Sequence, residues 1–348
     1  MLAVTTFLAA LALSSLGTFA AMKLGRRLGL VQTPGGRRQH PRPVSRIGGA
    51  GLLLGFLVVS AWLYWVGPRP ADTNLHLPLL GVWLGTALAL LGGLADDKYE
   101  FKAGPQFAIQ FIAVLTALFT DVFIEEVTLP IFGKTKFEWF VVAPLTTFWV
   151  MGMMNTVNWL DGLDGLAGGV GAIAAGLFAI HSYQLQQPEV ALYSLALAGA
   201  CVGFVLFNFF PARVFLGSAG ALGLGYALAA LSIIAPARVA TALLVMAIPI
   251  ADVAFQIIHR WRRGLSPLQG DRGHLHFRLL DMGFSQRQIV VGYWILCALF
   301  GVAALWLPSP ALKLIAILAL SAFVIIVLFI LSRRQSSGVS SSEAVKDP

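Results

Sequence analysis

Charged residues are scarce in this chain. Only 11% of its 348 residues are Asp, Glu, Lys or Arg, whereas 58% are hydrophobic and the mean hydropathy is +0.81. A soluble protein of this length needs far more polar surface, so the composition argues for a multispanning membrane protein. Cysteine is also rare. Cys201 and Cys297 lie in apolar stretches far from any CxxC or Cys/His cluster, and we expect both to be ordinary core residues.

Eleven apolar stretches are long enough to cross a hydrocarbon core of about 30 Å. They predict an all-α integral membrane protein with about eleven transmembrane helices in one domain, residues 1–332. Between two of them, residues 123–140 contain short β-prone runs around Gly133, which predict an external hairpin. The Ser-rich tail, residues 333–348, is predicted to be disordered and cytoplasmic. The stretches lie near 2–22, 47–66, 78–95, 104–122, 141–158, 166–182, 190–209, 214–234, 239–258, 288–307 and 311–331.

The distribution of basic residues predicts the orientation. Lys23, Arg26 and Arg27 follow the first apolar stretch instead of preceding it, which favours a retained first helix with its amino terminus outside. If segment 23–46 is cytoplasmic, 19 of the 24 Lys and Arg residues fall on that side and five on the other, a strong bias by the positive-inside rule. The net charge of +8 therefore needs no nucleic-acid partner, and it suits an anionic substrate or lipid.

Four polar loops are predicted on the cytoplasmic side. We call them the first loop (94–104), the second loop (155–165), the third loop (207–220) and the fourth loop (259–288). The clustered aspartates and the one His pair of the chain lie in these loops. The topology places all four at the same face of the membrane, and this coincidence is the main indication of function.

The first two loops carry carboxylates. Asp96 and Asp97 are adjacent, and neighbouring carboxylates usually need a cation, a shared proton or full solvation. The alternative is a solvated turn that caps the next helix. In the second loop, oxygen-bearing side chains recur at steps of three, which places them along one stripe and suits Mg²⁺. Here the alternative is capping of a helix that starts at Leu166. The residues of this stripe are Asn155, Asn158, Asp161 and Asp164.

The third and fourth loops add an amide, an aromatic ring and cations. Asn208 and Phe215 precede a run of small residues; Phe215 offers a flat surface for a base, or only lipid-facing bulk. In the fourth loop, Arg263, His274 and His276 can donate to phosphate groups. The alternative is a basic segment resting on anionic headgroups.

Acids for a metal, cations for phosphates and adjacent hydrocarbon are together the parts that phosphoryl transfer to a lipid phosphate needs. A secondary transporter is a weaker hypothesis. Its charges should lie at the bilayer midplane near broken helices, whereas these acids cluster at the inner ends of the stretches. Asp252, inside the ninth stretch, is the exception.

Several motifs in one order carry a resemblance to a known family. They read TPGGRRQHPRPVSRIGG, LADDKYE with Gln110, NTVNWLDGLDGLAGG, FNFFPARVFLG, PIAD and GDRGHLHFRLLDMGFSQRQ. The chain between about residues 30 and 290 resembles the polyprenyl-phosphate N-acetylhexosamine-1-phosphate transferases, in the WecA and TagO branch. This resemblance implies eleven helices and a UDP-N-acetylhexosamine donor, most consistent with GlcNAc, together with a polyprenyl (undecaprenyl) phosphate acceptor and UMP as the released product.

The resemblance also implies roles for individual residues. Asp96 would orient or deprotonate the lipid phosphate with support from Asp97, and Asn158 would lie at Mg²⁺ or Mn²⁺. His274 and His276 would contact the diphosphate. The substrate-binding residues would be Asp161 and Asp164 at the nucleotide, Phe215 on uracil, Asn208 and Arg263. The enzyme would act at the cytoplasmic face of the cell inner membrane to initiate a surface glycan, and a homodimer is among the assemblies it allows.

Three positions depart from the family pattern. Ser218 stands where the family has a metal-binding Asp, Phe277 replaces a His, and Gln106 replaces a Lys. A neutral hydroxyl supplies a dipole where a full charge stood, which weakens a Mg²⁺ site. The alternative function is therefore a catalytically impaired paralogue that binds nucleotide sugar or regulates.

Overall fold

The computed structural model describes residues 1–32, 43–67, 72–129, 133–234, 237–265, 273–307 and 309–343, with side chains of the last helix described up to Ile330. Residues 33–42, which are the first ten of the TPGGRRQHPRPVSRIGG motif, and residues 266–272 of the fourth loop lie outside the described residues, as does the end of the tail.

The described chain is mainly helical. Its helices are α1 (Leu2–Arg27), α2 (Gly48–Trp65), α3 (His76–Tyr99), α4 (Ala103–Phe119), α5 (Trp139–Leu160), α6 (Leu166–Gln184), α7 (Pro188–Asn208), α8 (Gly217–Ile233), α9 (Ala237–Val245), α10 (Ala247–Arg262), α11 (Leu275–Asp281), α12 (Gln286–Trp306) and α13 (Pro310–Glu343). A 3-10 turn, Thr73–Leu75, precedes α3. The strands are β1 (Val31–Gln32), β2 (Val44–Ser45), β3 (Glu126–Leu129) and β4 (Gly133–Lys136).

Each predicted apolar stretch contains helix. Within the described residues, eight helices are long and apolar enough to cross a membrane, or up to nine if α9 and α10, which are bent by 76°, form one broken span. The shorter apolar helices α4 and α8 occupy two further predicted stretches. The prediction of an all-α, multi-pass membrane protein is confirmed. The division into a membrane domain and a tail stays a prediction, and α13 runs on to Glu343.

The predicted hairpin is also present. β3 and β4 pair antiparallel, with Glu126 opposite Lys136 and Leu129 opposite Gly133. Gly133 has φ +69°, a conformation that glycine adopts without steric cost. The other small sheet joins β1 to β2 antiparallel, and Ser45 of β2 also bridges to Val214.

Helix α8 lies at the centre of the bundle. Every residue from Ala219 to Ile233 is buried, so this helix is apolar on all sides. The outer helices expose large apolar side chains instead, such as Trp306 of α12 and Phe329 of α13. This arrangement is expected when the surrounding solvent is lipid.

Small residues allow α1 and α2 to approach closely. A Cβ added at Gly51 would overlap the backbone of Gly17 and Thr18, and one at Gly55 would overlap the backbone of Ser14. Close backbone approach at small residues is a common way for helices to associate in lipid, where burial of apolar surface gives little driving force.

We expect Gly51→Ala to destabilise the protein by about 1–3 kcal/mol, because the added methyl group overpacks a contact between two backbones. The measurement is thermal unfolding in detergent. Gly152→Ala is the matched control, since Gly152 of α5 has no atom within 4 Å of an added Cβ. Equal stability of the two variants would contradict the close approach of α1 and α2.

Candidate functional site

One cavity of about 300 Å³ is lined by residues from all four polar loops. The prediction that these loops converge on one site is therefore confirmed. The segment before α2 and β1 also contribute to the lining. The described residues that line the cavity are Gln32, Arg46, Asp97, Asn158, Trp159, Asp161, Gly162, Phe215, Gly217, Ser218, His274 and Phe277.

Asp97 joins the end of α3 to the start of α8. Its Oδ1 accepts a hydrogen bond from Ser218 N at 2.8 Å, and its Oδ2 accepts one from Ala219 N at 3.0 Å. Both donors belong to the first turn of α8, whose N–H groups have no partner within the helix. Asp97 is only 3% exposed, so the solvated-turn alternative is wrong for it. It caps a helix that is distant in sequence.

Asp96 faces away from the cavity, toward α4. Gln106 Nε2 lies 3.0 Å from each of its carboxylate oxygens, and Phe101 N donates to Oδ1 at 3.0 Å. The two adjacent carboxylates are thus held by separate sets of donors. Gln106, the neutral residue at the position of the family Lys, still binds Asp96 but brings no charge to it.

Some polar residues of the second loop line the cavity, and others bind neighbouring parts of the fold. Helix α5 ends at Leu160, so Asn158 lies in its last turn and Asp161 directly follows it. Both line the cavity. Asn155 is instead paired with Gln110, to which its Nδ2 donates at 2.7 Å. Of the four residues in the predicted stripe, only Asn158 and Asp161 therefore line the cavity.

Asp164 and Asn208 hold the loops together outside the cavity lining. Asp164 Oδ2 accepts from Ala212 N at 3.0 Å. Asn208 Oδ1 accepts from Gly165 N at 2.9 Å, and its Nδ2 donates to Val214 O at 2.9 Å. α6 does start at Leu166, as the capping alternative proposes, but its N-cap is Gly165 and no side chain caps it. These contacts fix the second loop against the third.

Phe215 and Ser218 of the third loop line the cavity. Phe215 is 2% exposed, and its position is set by hydrogen bonds of its backbone to the segment before α2. Gly217 between them has φ +69° and borders both Asp97 and the carbonyl of Arg46. A side chain at this position would collide with both groups, so the turn requires glycine.

A buried carboxylate orients the cavity histidine. His274 Nδ1 lies 2.9 Å from Asp252 Oδ2, and Leu275 N donates to Asp252 Oδ1 at 2.9 Å. Gln256, one turn further along α10, donates to Gly273 O. Asp252, which the transporter hypothesis singled out, therefore anchors the fourth loop to α10. With Nδ1 engaged, the Nε2 atom of His274 is the nitrogen left for a ligand.

The other predicted residues of the fourth loop do not line the cavity. His276 is buried under Gly162, and its ring stacks on that of His274 with centroids 5.7 Å apart. Arg263 is exposed at the C-terminal end of α10. Phe277, at the position of a family His, presents an aromatic ring to the cavity instead.

The oxygen atoms of the cavity fit a hard divalent cation. Asp97, Asn158, Asp161 and Ser218 offer carboxylate, amide and hydroxyl oxygens, and no thiol is among the lining residues. Among the described residues there is no group of three or more His, Cys, Asp or Glu side chains able to hold a metal by themselves. This set suits Mg²⁺, which typically takes one or two carboxylates and completes its octahedron with water and phosphate oxygens.

Sequence reasoning missed three contributions to the site. Arg46 was counted only among the basic residues that predict the orientation in the membrane, although it lies in one of the motifs that carry the resemblance. Gln32 lines the cavity without any distinguishing pattern in the sequence, and Trp159 lies in the second loop but had no predicted role. The pairing of Asp252 with His274 joins residues 22 positions apart, and no local periodicity indicates it.

Comparison with known proteins gives a consistent result. Residues 79–236 match the model of glycosyl transferase family 4. The chain is 32% identical to the decaprenyl-phosphate N-acetylglucosaminephosphotransferase of Mycolicibacterium smegmatis, over 90% of this chain and 85% of that protein. It is 31% identical to the Mycobacterium tuberculosis protein of the same name, over 81% and 77%. It is 28% identical to the probable undecaprenyl-phosphate N-acetylglucosaminyl 1-phosphate transferase of Bacillus subtilis, over 88% and 84%.

Proposed function

This chain belongs to glycosyl transferase family 4, with the polyprenyl-phosphate N-acetylglucosamine-1-phosphate transferases, and we propose that it transfers GlcNAc-1-phosphate from UDP-GlcNAc to a polyprenyl phosphate. An oxygen of the lipid phosphate attacks the β-phosphorus of the nucleotide sugar, and the bond from that phosphorus to the bridging oxygen breaks. The products are polyprenyl-diphosphate-GlcNAc and UMP.

The observation that carries the proposal is the composition of the single cavity where the four loops meet. Phe215 offers an aromatic face for uracil, and His274 offers a ring nitrogen for the diphosphate. Asp97, Asn158 and Asp161 line the same cavity and supply oxygen ligands. Phosphoryl transfer requires little covalent chemistry from the protein, so positioning and charge stabilisation of this kind carry most of the catalysis.

We propose that Mg²⁺ binds between the second and third loops, with Asn158, Asp161 and Asp97 as its protein ligands. When bound, the ion neutralises charge on the phosphate oxygens. Ser218, whose backbone N–H donates to Asp97, also lines the cavity and contributes only a hydroxyl. Because the lipid phosphate is already largely anionic near pH 7, a general base is a modest requirement, and charge neutralisation carries more of the barrier.

Three further predicted residues, Asp96, Asp164 and Asn208, support the site from outside the cavity. Asp96 binds Gln106 and Phe101 N, and Asp164 and Asn208 bind backbone of neighbouring loops. We infer that these three are positioning residues. A direct role of Asp96 on the lipid phosphate stays a prediction, and it would require the hydrogen bonds from Gln106 to open.

We place the cavity at the cytoplasmic face of the cell membrane, with the amino terminus outside. The uneven distribution of Lys and Arg supports this orientation. A cavity at the inner ends of α3 and α5 would meet a soluble nucleotide sugar from the cytoplasm. It would also be within reach of a lipid headgroup in the same leaflet.

The proposed reaction is tested with the purified full-length protein in detergent. We expect radiolabel from UDP-GlcNAc to appear in undecaprenyl phosphate in the presence of Mg²⁺, with UMP released in equal amount. Addition of EDTA should abolish the transfer. If UDP-GlcNAc and a panel of related nucleotide sugars all gave no lipid-linked product, the transferase proposal would be wrong, and the impaired paralogue motivated by Ser218, Phe277 and Gln106 would replace it.

We expect Ser218→Asp to lower the Mg²⁺ concentration needed for half-maximal transfer by several-fold, because a carboxylate adds a full negative charge to the proposed metal site. Ser218→Asn is the matched control, since it adds a neutral group of similar size. Binding of Mn²⁺ followed by electron paramagnetic resonance gives a second readout that does not depend on turnover. The same metal dependence in both variants would place the metal away from Ser218.

We expect Asp252→Asn to reduce kcat by about 10- to 100-fold while KM for UDP-GlcNAc changes little. The reason is that the His274 ring loses the carboxylate that holds its orientation. Asp281→Asn, an exposed change at the end of α11, controls for loss of charge in this region. Native kcat in Asp252→Asn together with reduced stability would leave Asp252 a purely structural role.

A further inference from the structure

The proposed substrates bring several negative charges into a cavity that already contains carboxylates. A nucleoside diphosphate sugar carries two charges on its diphosphate, and the lipid phosphate adds at least one more. Asp97 and Asp161 line the same space. Even with a divalent ion bound, such a site needs a fixed positive group on the protein.

Arg46 is the only Lys or Arg among the described residues that line the cavity. Its guanidinium stays charged at any physiological pH, and its planar set of donors matches the oxygen atoms of a phosphate group. The arginine expected from sequence to bind substrate, Arg263, is exposed at the end of α10 and does not reach the lining.

The backbone of Arg46 is held firmly in place. Its N–H donates to Leu30 O at 3.0 Å. On one side, Phe215 N donates to Ser45 O at 2.8 Å, and on the other, Gly48 N donates to Phe215 O at 2.9 Å. These bonds lock the segment containing Arg46 onto the third loop, directly beside the aromatic ring proposed to bind uracil. A residue in this position is well placed to contact the phosphate next to the nucleoside.

The side chain of Arg46 forms an ion pair with Glu100 and also interacts electrostatically with Asp97 inside the cavity. Glu100 is 70% exposed and Arg46 is 31% exposed, so the ion pair lies at the mouth of the cavity and contributes little to stability. Glu100 also adopts the left-handed conformation, φ 50° and ψ 60°, at the C-cap of α3. This conformation is unfavourable for a residue with a side chain, and it brings the carboxylate to Arg46.

We propose that Arg46 is a diphosphate-binding residue of this transferase, and that it exchanges Glu100 for phosphate oxygens when the nucleotide sugar binds. The proposal rests on the function proposed above and adds to it the residue that recognises the diphosphate. Exposed, weakly held Glu100 keeps the guanidinium in a fixed direction, and the more strongly charged diphosphate displaces it.

The test measures binding rather than turnover. Purified full-length protein is titrated with UDP and with uridine, which share the base but differ in the diphosphate. We expect Arg46→Gln to weaken UDP binding by about 10- to 100-fold and to leave uridine binding within about 2-fold of native. Arg27→Gln, an exposed change at the end of α1, is the matched control and should bind both ligands as the native protein does.

Variants of Glu100 separate substrate binding from a structural ion pair. If Arg46 binds the diphosphate, Glu100→Gln removes a competing anion and should bind UDP at least as tightly as native. The exchanged pair, Arg46→Glu with Glu100→Arg, restores an ion pair but should stay as weak as Arg46→Gln. Recovery of UDP binding in the exchanged pair, or a loss in Glu100→Gln equal to that in Arg46→Gln, would overturn the proposal.

Arg46→Lys keeps the experiment decisive if Arg46→Gln does not fold. It retains the charge but loses the paired donors, so we expect about 3- to 10-fold weaker UDP binding with uridine unchanged. If Arg46→Gln does not fold, native affinity for UDP in Arg46→Lys would overturn the proposal. If the native protein itself bound neither UDP nor UDP-GlcNAc and transferred nothing, the failure would belong to the proposed function and not to the assignment of Arg46.

Discussion

The carboxylate of Asp97 at the first turn of α8 is the interaction on which the site depends. It binds two backbone N–H groups, Ser218 N at 2.8 Å and Ala219 N at 3.0 Å. α8 is buried from Ala219 onward, so at its first turn only the cavity offers an alternative partner for these N–H groups. Asp97 therefore lies in the last turn of α3, caps the first turn of α8 and lines the cavity. Loss of the contact would free the turn that carries Phe215 and Ser218.

Around this contact, polar side chains fix loops that are distant in sequence. Asn208 joins the second loop to the third, Asp164 holds the backbone of Ala212, and Asp252 anchors the start of α11. Buried polar groups next to hydrocarbon are costly unless they are paired, and each of these is. The scarcity of charge in the sequence thus has a counterpart in the structure, since most of the carboxylates near the site bind backbone donors. They fix the site as well as line it.

Side chains of opposite charge line the same cavity. Carboxylates suited to a cation face Arg46, while His274 is oriented by a second buried carboxylate. This is the arrangement that a transfer between two anionic substrates requires, because the groups are positioned before the substrates arrive. The departures from the family pattern fall within this scheme. Gln106 binds both carboxylate oxygens of Asp96, and Ser218 lines the cavity, so neutral residues occupy two positions where the family pattern has charged ones.

The membrane class, the approximate helices, the hairpin between α4 and α5 and the four loops that form the site could all be predicted from the sequence. Each of these follows from local hydropathy and composition, which are read along the chain without knowledge of neighbours. Within the loops, the sequence could not distinguish Asp97 from Asp96, or Asp161 from Asp164, because adjacent or regularly spaced carboxylates look alike in sequence. Tertiary structure decided which of them reach the cavity and which bind backbone. It also decided that Arg46 and Asp252 belong to the site, because their partners lie in other segments and only the packing of the helices brings them together.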